Sequence, residues 1–126
     1  MKKFILFFVI LTLALTLSVL SQDKEKKKEM TISGEVVDVK CYITGMMGGK
    51  GDDHKECAID CIKGGLPVGV YDEKEKKVYS VVPKGGMKGA NEEMVKYAAS
   101  KVKLTGTLVK KDGAELFIYS KVEEVK

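Results

Sequence analysis

The sequence contains no arginine and a single histidine, His54. Without arginine, the planar fork that reads guanine edges and clamps phosphates in bidentate fashion is missing. The 22 basic residues, all lysine, face 18 acidic ones for a net charge of +4. Lys2 and Lys3 belong to an expected leader; without them the balance is 20 against 18, or +2. So small a surplus does not call for a polyanionic partner, and nucleic acid is excluded on both counts. With one histidine, a Ser-His-Asp triad would have to be built on His54, and no nucleophile-elbow pattern accompanies it. Gly48-Gly49-Lys50-Gly51 lacks the spacing and following residue of a phosphate-binding loop. No internal repeat is present, and no catalytic residue is assigned. Cysteine is scarce and odd in number, at 3. In an oxidising compartment, that leaves one thiol unpaired within a monomer, or all three engaged by something other than disulfides.

Met1–Lys3 supply a positive start, and Phe4 to Leu20 run without a charge, interrupted only by Thr12, Thr16 and Ser18. Polarity returns abruptly at Ser21-Gln22-Asp23, and Val19-Leu20-Ser21 is an acceptable cleavage site. This is the pattern of a secretory signal peptide over residues 1–21. The alternative is an uncleaved anchor at residues 4–20, a stretch at the lower limit of membrane-spanning length. No cysteine sits at the exit, so a lipid-modified N-terminus is not supported. Either reading places the protein in the periplasm or outside the cell, with membrane contact only if the leader is retained. Residues 22–29 (QDKEKKKE) hold no apolar residue and read as a disordered charged tether. Residues 30–126 remain for one small domain.

Thr31–Cys41 reads as a valine-rich strand. Its apolar parity switches between Val36 and Val37, which predicts a bulge or strong coiling. Past the switch, Cys41 points inward while Asp38 and Lys40 face water. The glycine-rich stretch Ile43 to Gly51 is an irregular loop. Asp53 with Glu56 forms a capping-box pattern, and Gly64-Gly65 with Pro67 ends the helix, which spans His54–Lys63, about 15 Å long. Leu66–Tyr71 and Val78–Pro83 read as a strand pair around Asp72–Lys77. Asn91 caps a second helix with Met94, Val95, Tyr97 and Ala98 as its stripe. Lys101–Lys110 and Glu115–Val125 form a last hairpin through Asp112-Gly113. Its inward residues are expected to be Val102, Leu104 and Leu108 on one strand, and Leu116, Ile118 and Val122 on the other.

The expected fold is therefore mainly β with two short helices. It is a five-stranded OB-like barrel carrying a helical insertion after the first strand, with the second helix between the third and fourth strands. Two segments, "ISGEVVDVKCY" and "KVKLTGTLVKKDGAELFIYSKVEEV", look like the small exported bacterial OB-fold-like proteins. The middle resembles a secreted group with a CY…HxxCAxxC…GLPVG section, here Cys41-Tyr42, His54, Cys57-Ala58, Cys61 and Gly65–Gly69. The resemblance covers nearly all of the mature domain; it implies the fold and draws attention to the cysteine region.

On the helix, His54, Cys57 and Cys61 fall at i, i+3 and i+7 and share one face, which Ala58 and Ile62 complete. Cys41 meets them if the glycine loop folds the helix back over the barrel. Three readings follow. In the first, three thiolates and one imidazole bind zinc or a soft metal such as copper in storage, delivery or sensing, with Met46 and Met47 as candidate additional soft ligands. In the second, a disulfide joins Cys41 to Cys57 or Cys61 and contributes about 3 kcal/mol. The remaining thiol is then buried, and the protein is a stapled module binding an envelope protein or small ligand. In the third, His54 and the helix N-terminus stabilise a Cys57 thiolate for redox work, although C-x3-C is not the usual redox pair. Each feature also has a plainer explanation. A lone histidine at a loop-to-helix junction is often solvated. Met46 and Met47 can simply plug a gap, and Asp52 and Asp53 are accounted for by capping. Phe117 and Tyr119 offer a ligand face of the kind OB domains use, or cover a barrel edge.

Overall fold

Valine-rich and alternating segments become strands, and the glycine- and lysine-rich stretches between them become turns and short helices. The computed structural model describes residues 28–126. The leader expected at 1–21 and most of the tether expected at 22–29 lie outside these residues. The strands are β1 (Glu29–Asp38), β2 (Val68–Asp72), β3 (Lys77–Pro83), β4 (Lys101–Lys111) and β5 (Ala114–Glu124). Among the described residues there are three short α-helices rather than the expected two: α1 (Val39–Thr44), α2 (Lys55–Lys63) and α3 (Asn91–Met94). Three 3-10 turns accompany them, at Met46–Gly48, Asp52–His54 and Val95–Tyr97.

The strands pair in the order β1-β2-β3-β5-β4, and β4 returns to β1 to close a ring. All pairings are antiparallel except β3 with β5, which run parallel from Val81↔Phe117 to Pro83↔Tyr119. Among the described residues, closure leaves no long open strand edge to recruit another chain. Ile32, Val36, Val70, Val81, Leu104 and Phe117 form the shared core, to which α2 adds Ala58 and Ile62 and α3 adds Met94. The Asp112-Gly113 turn has φ of 50° and 84°, the paired left-handed conformation that matches strand twist in a two-residue hairpin.

Two parity expectations are corrected. Val36 and Val37 are both buried, yet the β1–β2 register runs from Glu35↔Tyr71 to Asp38↔Val68 without a slip. No bulge is needed, because the insertion between β1 and β2 covers the outer face. Glu35 shares that face with Val37, and its Oε1 accepts from the Gly51 amide within the insertion. In β5, Phe117 and Tyr119 point inward, while Leu116 is exposed and Ile118 half-buried. The register places Thr105 opposite Lys121 and Gly106 opposite Tyr119, so Ser120 is an extra, bulged residue. The bulge shifts the parity and lets Val122 also pack on the core. Gly106 is required there: a Cβ would lie 2.2 Å from the Ile118 carbonyl oxygen.

Candidate metal centre

The first strand ends earlier than its composition implies. Asp38 is the last residue of β1 and the N-cap of α1; its Oδ1 accepts from the amides of Lys40 at 2.8 Å and Cys41 at 3.4 Å. The cap turns the chain at Val39, so Cys41 sits in the first turn of a helix and not at a strand end. It is nonetheless buried, as expected. α1 stops at Gly45, whose φ of 69° is the left-handed C-cap conformation.

The chain then crosses the exposed Met46–Gly48 turn and reaches α2. Asp53 does not cap this helix. A 3-10 turn over Asp52–His54 precedes it, His54 holds the cap position, and no side chain satisfies the first amides. His54 is thereby rotated inward and is only 1% exposed. The far end of α2 is fixed by Asn91, which does not cap its own helix. Its Nδ2 donates to the carbonyls of Ile62 at 2.7 Å and Leu66 at 2.8 Å. Ala58 and Ile62 bury their side chains in the core, setting the rotation of α2. Cys57 and Cys61, on the same side, are left half-buried.

The four expected residues converge, but as two trios that share Cys41. In one, the ligating atoms of Cys41, His54 and Cys57 lie within 4.8 Å of one another; in the other, those of Asp38, Cys41 and Cys61 do. Asp38, expected to face water, is instead fully buried beside the thiols. Its signal was present in the sequence: an aspartate closing a valine run is a helix start, and a cap side chain points back over the first turn. Met46 and Met47 lie on the exposed turn, 47% and 66% exposed, not in the buried cluster. Phe117 and Tyr119 are interior side chains and present no ligand face.

The polar atoms of the cluster are poorly satisfied. Both ring nitrogens of His54 and Oδ2 of Asp38 are buried without a hydrogen-bond partner. Cys41 Sγ and Cys61 Sγ stand 3.8 Å apart. A disulfide needs about 2.05 Å, so the two are free thiols in contact. Two thiolates on one tetrahedral zinc, each at about 2.3 Å, are separated by about 3.8 Å as well.

The Asp38 carboxylate, burial and the neighbouring Cys61 sulfur push the Cys41 thiol up to about 12. The same carboxylate and burial raise Cys61. Burial works to raise Asp38 too, but the neighbouring Cys41 and Cys61 thiols and the Cys41 and Lys40 amides bring it below the ordinary carboxylate value. The metal-free cluster thus has an ionised aspartate with two protonated thiols held against it. That is the reverse of an activated nucleophile at Cys41 or Cys61. No protein-family model, curated protein or solved structure matches the chain.

Proposed function

We propose that this chain is an exported OB-like domain that binds a transition metal, zinc or copper, through Cys41, His54, Cys57 and Cys61, in storage, delivery or sensing. The observation that carries the reading is the unpartnered state of His54. A buried imidazole with two idle nitrogens costs stability, and two sulfur ligands, Cys41 and Cys57, lie beside it with Cys61 next to Cys41. Metal binding explains why such a group occupies that position. The ring order, with a parallel β3–β5 pair and a helix between β3 and β4, supports the OB reading. The leader pattern at residues 1–21 supports export. Half-exposed Cys57 and Cys61 give an ion a way in and out, which suits delivery better than permanent structural use.

The 3.8 Å approach of Cys41 to Cys61 favours a second reading, in which these two form a disulfide in an oxidising compartment and staple α1 to α2. Elemental analysis of protein taken from its native compartment, with thiol counting and intact mass, separates the two. The metal reading expects three titratable thiols and bound zinc or copper. A mass two hydrogens short, with no metal taken up after reduction and reconstitution, refutes it.

A further inference from the structure

The cluster offers more donors than one tetrahedral ion takes. His54 and Cys57 group with Cys41, and Asp38 and Cys61 form a second group with the same Cys41. We propose that the protein binds two zinc-type divalent ions, one per trio, with the Cys41 sulfur as the bridging ligand; this rests on the metal-binding reading above.

Three observations converge on it. First, each trio independently contains a side chain that is at least nine-tenths buried and carries an unpartnered polar atom aimed into the cluster: His54 in one, Asp38 in the other. A single ion at His54 leaves Oδ2 of Asp38 unanswered, and a single ion at Asp38 leaves both imidazole nitrogens idle. Second, the charges balance. On loading, the three thiols lose their protons to solvent, giving three thiolates and the Asp38 carboxylate, four negative charges in all. Two divalent cations neutralise them. A single ion in either trio leaves the thiol outside it protonated and one negative charge of the cluster uncompensated. Third, the bridge falls where a bridge must be. Cys41 is the one residue common to both trios, and it is almost fully buried between the end of β1 and α2. The half-exposed Cys57 and Cys61 lie toward the surface.

The donor types also choose the ion. A carboxylate with two thiolates, and an imidazole with two thiolates, both suit zinc; the carboxylate disfavours Cu(I) in the Asp38 trio. Each trio provides three protein ligands, so a fourth position stays open for water or a receiving ligand.

The test uses the reduced full-length chain loaded with cadmium(II), a spectroscopic substitute for zinc, and follows native mass spectrometry and cadmium NMR. Saturation is expected at two equivalents, with two resonances split by mutual coupling through the shared sulfur. Asp38→Asn, which keeps a helix-capping side chain, is expected to bind one equivalent with the coupling lost. Cys61→Ser is expected to do the same and serves if the first variant fails to fold. Saturation of the natural chain at one equivalent, two uncoupled resonances, or retention of two equivalents by the variants overturns the bridged pair while leaving metal binding intact. No uptake at all overturns both.

Discussion

Replacing His54 with leucine should stabilise the metal-free protein, contrary to the usual result of altering a fully buried residue. Large-to-small core changes cost about 2–5 kcal/mol because they leave a cavity. Leucine and histidine are close in volume, so that penalty is small here. What changes is the polar contribution. His54 is 1% exposed and both its nitrogens lack partners. A buried unsatisfied group costs about 1–3 kcal/mol, which the substitution removes. For a domain of this size, each kcal/mol moves Tm by about 4–8 °C. Thermal unfolding in reducing, chelator-treated buffer should therefore show His54→Leu melting several degrees above the natural chain. Zinc should then reverse the order. A ligand at a hundred times its Kd adds about 2.7 kcal/mol to the form that binds it, and the variant has lost one trio. The crossing of the two curves is the diagnostic. If His54→Leu melts lower without metal, and zinc raises both proteins equally, the imidazole is an ordinary satisfied core residue and the metal centre is misassigned.

Alkaline pH should weaken the metal-free fold. Cys41 is raised from 9.0 to about 12, so the folded state holds a proton that the unfolded chain releases; stability is full below pH 9 and falls as pH climbs toward 12. Denaturant titrations across that window should show the decline, and Cys41→Ala should flatten it; an unchanged slope would mean the thiol is not held against Asp38. Asn91→Ala removes two hydrogen bonds that anchor the end of α2 and should cost about 1–3 kcal/mol in urea unfolding. A loss below about 0.5 kcal/mol would show that α2 is held by its apolar face alone. Gly34→Ala sets a methyl group 2.0 Å from the Tyr71 carbonyl oxygen, so β1 and β2 must part. A destabilisation of about 3 kcal/mol is expected, and a neutral result would contradict the strand approach.

Much of this architecture could be read from residue order, because the signals were local. The Asp112-Gly113 turn, the alternating hairpin around it and the glycine stop after α2 each announce their own conformation. The errors arose where a residue's environment comes from elsewhere in the chain. Val37 is buried by an insertion whose path no strand period encodes, and Phe117 is turned inward by a bulge at Ser120. The cluster follows the same division. The helical phase of His54, Cys57 and Cys61 was legible, and Cys41 reaches the cluster from the first turn of α1, not from the strand end expected of it. Asp38 was missed because it was judged by strand parity, when it is the first residue of a helical cap.

Asp38 and Val68 face each other as paired residues, and the Val39 amide reaches the Pro67 carbonyl at 3.0 Å. The excursion that houses the cluster therefore leaves and re-enters the sheet through a single pinned neck. Extra residues in its exposed turn, Met46 to Gly48, would lengthen a loop whose ends are already fastened, and doubling a loop costs only about 0.6 kcal/mol. An insertion in that turn is expected to leave the donor atoms where they are.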